Sequence, residues 1–140
     1  MLKLAPEAFL DIVLCGGNGK ALAKILVIDD EPSVLAAIEQ ALKTAGHQVS
    51  SVGGGFDAIT SFQKDPADLL ITDIFMPAPD GIGLITYFRK QFPKLPIIAI
   101  SGNPKGNTLD IANKLGVAAS LPKPFAVQEL LNAVNAALKR

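Results

Sequence analysis

The sequence predicts an α/β domain built on a five-stranded parallel sheet, doubly wound with helices on both faces. Three observations predict it. Short apolar, β-branched runs alternate five times with amphipathic helical runs from Ala23 onward. The runs around Ile25, Leu70 and Ile98 are continuously apolar, as strands buried on both faces must be. Parallel neighbours also need long crossovers, which the intervening helical runs supply.

Lys24 to Ile28 is the first strand, and it ends in the acids Asp29 and Asp30. Pro32 then opens a helix carrying Val34, Leu35, Ile38 and Leu42 at helical spacing, with Gly46 as its stop. Gln48 to Val52 is the second strand. After Gly53, Gly54 and Gly55, the residues Phe56, Ile59 and Phe62 mark a shorter helix. Residues 69–72 form a third strand, again ending in an acid, Asp73. A turn with Pro77, Pro79 and Gly81 leads into a helix bearing Leu84, Ile85 and Phe88. The fourth strand is 96–100, followed by Ser101. A weaker helix over 107–115 precedes a fifth strand at 117–121. The last helix, Val127 to Leu138, sets Leu130, Leu131, Val134 and Leu138 on one face.

At 140 residues the chain fits one domain, divided here into an N-terminal extension, 1–22, and a folded domain, 23–140. An apolar share of 49% supports a core, which excludes a disordered chain. A formal net charge of zero argues against nucleic-acid binding, where a basic excess meets the phosphates. The lone Cys15 has no internal disulfide partner, which suits a reducing compartment. No apolar run reaches the roughly 20 residues of a membrane span. Lys3 precedes a signal-like apolar stretch, but Pro6, Glu7 and Asp11 interrupt it, so the expected location is the cytoplasm.

Residues 1–22 read as a flexible tail, or as a short helix docking through Phe9, Ile12 and Val13. The glycine run from Gly16 to Lys20 is not a P-loop, because Leu14 stands at its first glycine position and Ala21 at its Ser/Thr position. His47 reads as an exposed polar residue in a loop.

In a doubly wound sheet, ligands sit beyond the carboxyl ends of the strands, near the reversal in strand order. The residues there are Asp29, Asp30, Asp73, Ser101 and Lys123. Three converging carboxylates repel one another unless a cation neutralises them. Hard oxygen ligands suit Mg²⁺, which would also offset the charge of an incoming phosphoryl group. Ser101 can donate to a phosphoryl oxygen, Lys123 can act as a point charge, and a carboxylate can serve as nucleophile.

Four stretches carry a family resemblance: Ile25-Leu26-Val27-Ile28-Asp29-Asp30-Glu31-Pro32, Leu70-Ile71-Thr72-Asp73-Ile74-Phe75-Met76-Pro77 with Asp80-Gly81, Ile98-Ala99-Ile100-Ser101-Gly102, and Leu121-Pro122-Lys123-Pro124-Phe125. In order and spacing the chain resembles, from about Lys24 onward, the receiver domain of two-component response regulators, the CheY-like superfamily with its flavodoxin-like fold. The resemblance implies that Asp73 is the phospho-acceptor. It implies that Mg²⁺ is held by Asp29, Asp30, Asp73 and the backbone carbonyl of Phe75. Ser101 is then the switch hydroxyl, Lys123 binds the phosphoryl group, and the Lys123–Pro124 bond is cis.

The implied partners are a sensor histidine kinase or phosphotransfer protein upstream and a protein target downstream. The chain is expected to act as a stand-alone receiver, a monomer or weak homodimer without direct DNA or membrane contact, catalysing only its own phosphorylation and dephosphorylation. Departures from the family pattern bear on output: Ser120 replaces an aromatic switch residue, Gly83 an acid, and Pro79 stiffens the loop. Phe75 and Asn103 lie where relatives vary dephosphorylation, and the Phe75 ring is expected to screen the acyl phosphate from water. Competing readings are a pseudo-receiver that binds without phosphorylation, a metal-dependent phosphatase and a flavin protein. The phosphatase reading lacks acids spaced two apart after the first strand, and the flavin reading lacks a hydroxyl-rich phosphate loop.

Overall fold

A computed structural model of the chain describes residues 22–76, 80–102 and 108–139. Expectations for residues 1–21, Pro77, Pro79, Asn103 and Asn107 lie outside the described residues. The elements run β1 (Lys24–Ile28), α1 (Pro32–Thr44), β2 (Gln48–Val52), α2 (Gly55–Lys64), β3 (Leu69–Asp73), α3 (Gly81–Gln91), β4 (Ile97–Ser101), α4 (Thr108–Lys114), β5 (Ala119–Pro122) and α5 (Val127–Leu138). All strand pairs are parallel, in the order β2-β1-β3-β4-β5. This is the doubly wound sheet that the sequence predicts.

The continuous apolar runs occupy the middle of the sheet. β3 and β4 are buried throughout, whereas the edge strands β2 and β5 are only partly covered. Because side chains alternate across a strand, each run feeds two cores. Leu26, Ile28, Leu70, Ile97 and Ala99 face α2, α3 and α4, where Phe62, Leu84 and Phe88 pack on them. Ile25, Val27, Ile71, Ile98 and Ile100 face α1 and α5, meeting Ile38, Leu42, Leu130 and Val134. Phe62 and Phe88 meet edge to face, with centroids 5.0 Å apart.

Gly46 ends α1 at φ +100°, in the left-handed region that favours glycine. Its N–H donates to Lys43 O, and the next N–H, of His47, donates to Leu42 O, which makes a Schellman stop. The same turn corrects one expectation. His47 is buried rather than exposed, and its Nδ1 accepts the Ala23 N–H at 3.1 Å. The imidazole therefore ties the end of α1 to the entry of β1.

Phe56 lies within α2, as the sequence predicts, yet is 71% exposed, while Ala58 and Phe62 carry the buried face. At about 100° per residue, Phe56 stands some 200° from Ala58 and so points away from the sheet. β4 begins at Ile97 rather than at Pro96, which has no N–H for the ladder but whose carbonyl accepts from Leu70 at 3.1 Å. β5 begins at Ala119 rather than Val117, because the Val117 N–H turns back to Ala112 O and closes the end of α4. In α5, Ala137 joins Leu130 and Val134 in the core, and Leu131 and Leu138 are only partly buried.

Candidate functional site

The reversal in strand order falls between β1 and β3, and the acids at their carboxyl ends meet there. Asp29 follows β1 directly, and its N–H extends the ladder to Val52 O at 3.2 Å. It is 1% exposed. Its Oδ1 accepts the Glu31 N–H at 2.9 Å, which turns Oδ2 toward the centre of the site. Asp73 closes β3, and the next residue is held to the neighbouring strand by the Ile74 N–H donating to Ile100 O at 2.8 Å. Asp73 Oδ1 accepts the Phe75 N–H at 3.2 Å, leaving Oδ2 on the same side as Asp29 Oδ2. Asp30 is exposed, yet Asp29, Asp30 and Asp73 each offer an oxygen within 4.8 Å of the others.

Lys123 arrives from the turn after β5. Its N–H donates to Ser101 O at 2.7 Å, locking that turn to the end of β4, and the Lys123–Pro124 peptide is cis. Its Nζ donates to Asp29 Oδ2 at 2.9 Å, Glu31 Oε1 at 3.1 Å and Asp73 Oδ2 at 3.4 Å. Ser101, the last residue of β4, is fully buried beside this turn and pairs in register with Pro122. Phe75 is 43% exposed at the rim. The structure thus joins Asp29, Asp73 and Lys123 directly, sets Asp30 within metal reach, and holds Ser101 through its carbonyl.

Burial, and then the charge of Asp29, push the Asp73 carboxyl above its usual range, and the ammonium of Lys123 and the Phe75 N–H only partly offset them. Burial alone would lower Lys123. Hydrogen bonds to Asp29 and Glu31 and the charges of Asp73 and Asp29 outweigh it, and the ammonium is pushed up to about 12. Lys123 is therefore a fixed cation, and one monovalent cation faces four carboxylates. That excess fits a divalent ion with hard oxygen ligands.

Reasoning from sequence missed two contributors. Glu31 stood in a matching stretch without a role, although a third acid following Asp29 and Asp30 was a visible signal. Gly81 read only as a turn residue. A Cβ there would lie 2.2 Å from Asp73 O and 2.4 Å from Ile74 Cα, so α3 can begin against the Asp73 backbone only with glycine. Asp80 caps that helix, its Oδ1 accepting the Gly83 N–H at 2.8 Å.

Comparison with known proteins agrees with this architecture. The family model of the response regulator receiver domain matches residues 25–135. The chain belongs to the response regulator receiver domain family. It is 38% identical over 119 residues to the DNA-binding transcriptional regulator NtrC of Azospirillum brasilense, covering 83% of this chain and 24% of that protein. It is 30% identical over 123 residues to the transcriptional regulatory protein PrrA of Mycobacterium tuberculosis, covering 88% of this chain and 53% of the relative. The chain thus spans about half the length of PrrA and a quarter of NtrC.

Among solved structures, a receiver domain protein from Clostridium thermocellum superposes with a TM-score of 0.80 at 32% identity, over 85% of this chain and 96% of that one. Chemotaxis protein CheY4 of Vibrio cholerae superposes with a TM-score of 0.78 at 28% identity, over 84% and 100%. Among the described residues, no helix is long and apolar enough to cross a membrane.

Proposed function

We propose that this receiver accepts a phosphoryl group on Asp73 from the phosphohistidine of a kinase or phosphotransfer protein, with Mg²⁺ as its cofactor. One observation carries the reading: Asp29, Asp73 and Lys123 form a single hydrogen-bonded cluster at the strand-order reversal, with Asp30 beside it. Asp29, Asp30 and Asp73 would hold the ion, together with the Phe75 carbonyl that the family pattern assigns. When bound, Mg²⁺ supplies positive charge against the carboxylates and the phosphoryl oxygens.

The chain's own groups do the rest. An Asp73 oxygen attacks phosphorus, the P–N bond of the donor breaks with its electron pair on the imidazole, and that nitrogen takes a proton from solvent. Lys123 pairs with the transferred oxygens, and Ser101 is assigned the hydrogen bond that reports the phosphoryl group to the outer face. Hydrolysis later returns the carboxylate when water attacks phosphorus and the Asp73 oxygen leaves.

The output in this reading is a protein-docking face made by α4, β5 and α5, rather than direct DNA contact. The zero formal net charge supports this. The phosphodonor and the single thiol suit a cytoplasmic setting. Intact-mass measurement after acetyl phosphate treatment tests the chemistry. The wild type should gain one phosphoryl group in the presence of Mg²⁺, and Asp73→Asn none. An unlabelled wild type favours a phosphorylation-independent binding module instead, and phosphotransfer profiling against histidine kinases would then identify no donor.

A further inference from the structure

We infer that Glu31 is a positioning residue that holds Lys123 away from the incoming phosphoryl group and so limits the rate at which Asp73 is modified. The inference rests on the functional reading above. Lysine has three N–H donors, and at Lys123 each is directed at a carboxylate: Asp29 Oδ2 at 2.9 Å, Glu31 Oε1 at 3.1 Å and Asp73 Oδ2 at 3.4 Å. To meet a phosphoryl oxygen, the ammonium must release at least one of them.

The three partners are not equivalent. Asp73 is the acceptor and Asp29 a metal ligand in the proposed reaction, so their charge is spent on the chemistry. Glu31 has neither task and remains a full competing anion.

The local backbone supports a dedicated role. Glu31 is the N-cap of α1, at φ −101° and ψ 112°, yet its side chain makes no capping bond. Its backbone carbonyl receives the Val34 and Leu35 N–H groups, both at 3.1 Å. The carboxylate instead crosses to a residue 92 positions away. Its side chain is 59% exposed, against 1% for Asp29 and 4% for Asp73, so it can swing into water and release the ammonium. Glu31 is therefore the movable member of the set, and it recaptures Lys123 once the phosphoryl group has gone.

The test uses the full chain with acetyl phosphate, a donor that needs no docking surface, at fixed saturating Mg²⁺. Labelling of Asp73 is followed by intact mass in the wild type, Glu31→Gln and Glu31→Asp. The aspartate variant keeps the charge but is one methylene too short for the contact. Both variants are expected to label about two- to fivefold faster, the range an exposed ion pair supports. Without donor, the Lys123 ε-methylene NMR signal is expected to shift in both.

Labelling of Glu31→Asp at the wild-type rate, labelling of Glu31→Gln at or below it, or an unmoved Lys123 signal would each overturn the inference. A wild type that takes up no phosphoryl group at Asp73 brings down the functional reading and this role together. A labelled wild type with unresponsive Glu31 variants removes only the role of Glu31.

Discussion

In the proposed reaction Asp73 must be buried to exclude water and charged to attack phosphorus, and the two demands conflict. Its folded pKa lies above the ordinary carboxylate value because of burial and the nearby charge of Asp29. Between those two values the folded state binds more protons than the unfolded state, so stability falls as pH rises through the raised pKa. Above that raised pKa the ionised side chain therefore costs stability. Asp73→Asn keeps an acceptor for the Phe75 N–H and should raise unfolding stability at pH 7 by about 1 kcal/mol, seen as a higher urea midpoint. A lower midpoint would show that the ion pair with Lys123 outweighs desolvation. The neighbouring Phe75 ring is 43% exposed at the rim, and in the proposed phosphoprotein it would screen the acyl phosphate from in-line water. Phe75→Asn is expected to shorten the phosphoprotein half-life several-fold in a decay assay, and an unchanged half-life removes the screening role. Asp29, Asp73 and Lys123 were legible in the sequence because strand ends in this topology have one destination. Glu31 was not read from it, because an acid at a helix start is usually solvated, and the third acid in the run marks a role without naming a partner so distant along the chain.

Among the elements, those with strong punctuation were legible to the residue: α1 between Pro32 and Gly46, and α5 over Val127–Leu138. Boundaries moved where backbone hydrogen bonding, rather than residue type, decides, as at Pro96 and Val117. His47 was misread for a related reason. A polar residue after a helix stop usually faces water, but here an unpaired N–H at Ala23 needs an acceptor. The consequence can be measured. Burial lowers the His47 pKa, so as pH falls the unfolded chain takes the proton first. The stabilisation from neutral His47 is complete above the unfolded value, about 6.5, and is lost as pH drops through the folded one. Protonated Nδ1 would also turn a donor on the Ala23 N–H. His47→Asn, which retains an acceptor without titrating there, should flatten the decline in urea midpoint between pH 7.5 and the acid limb, whatever its effect at neutral pH. An equally steep decline in the variant would assign that loss to the carboxylates.

For the whole molecule, the site is a concentration of like charge that folding assembles and the unfolded chain disperses. An ion that binds only the assembled carboxylates stabilises the fold by mass action. Millimolar Mg²⁺ should raise the melting temperature of the wild type by a few degrees, and EDTA should reverse it, with Asp30→Asn responding less. Equal responses would place the ion elsewhere. Every group in this chemistry lies at one edge of the sheet. At the opposite edge, Leu22 and Ala23 ahead of β1 and Ala137 and Leu138 at the end of α5 line the same hollow of about 560 Å³. A short peptide bridge between those neighbours, in place of residues 1–21 and 139–140, would join the folded domain into a ring without approaching Asp73. Fresh ends could then be cut elsewhere, or the unit spliced into a surface loop of a host protein, with its phosphoryl chemistry facing outward from the graft.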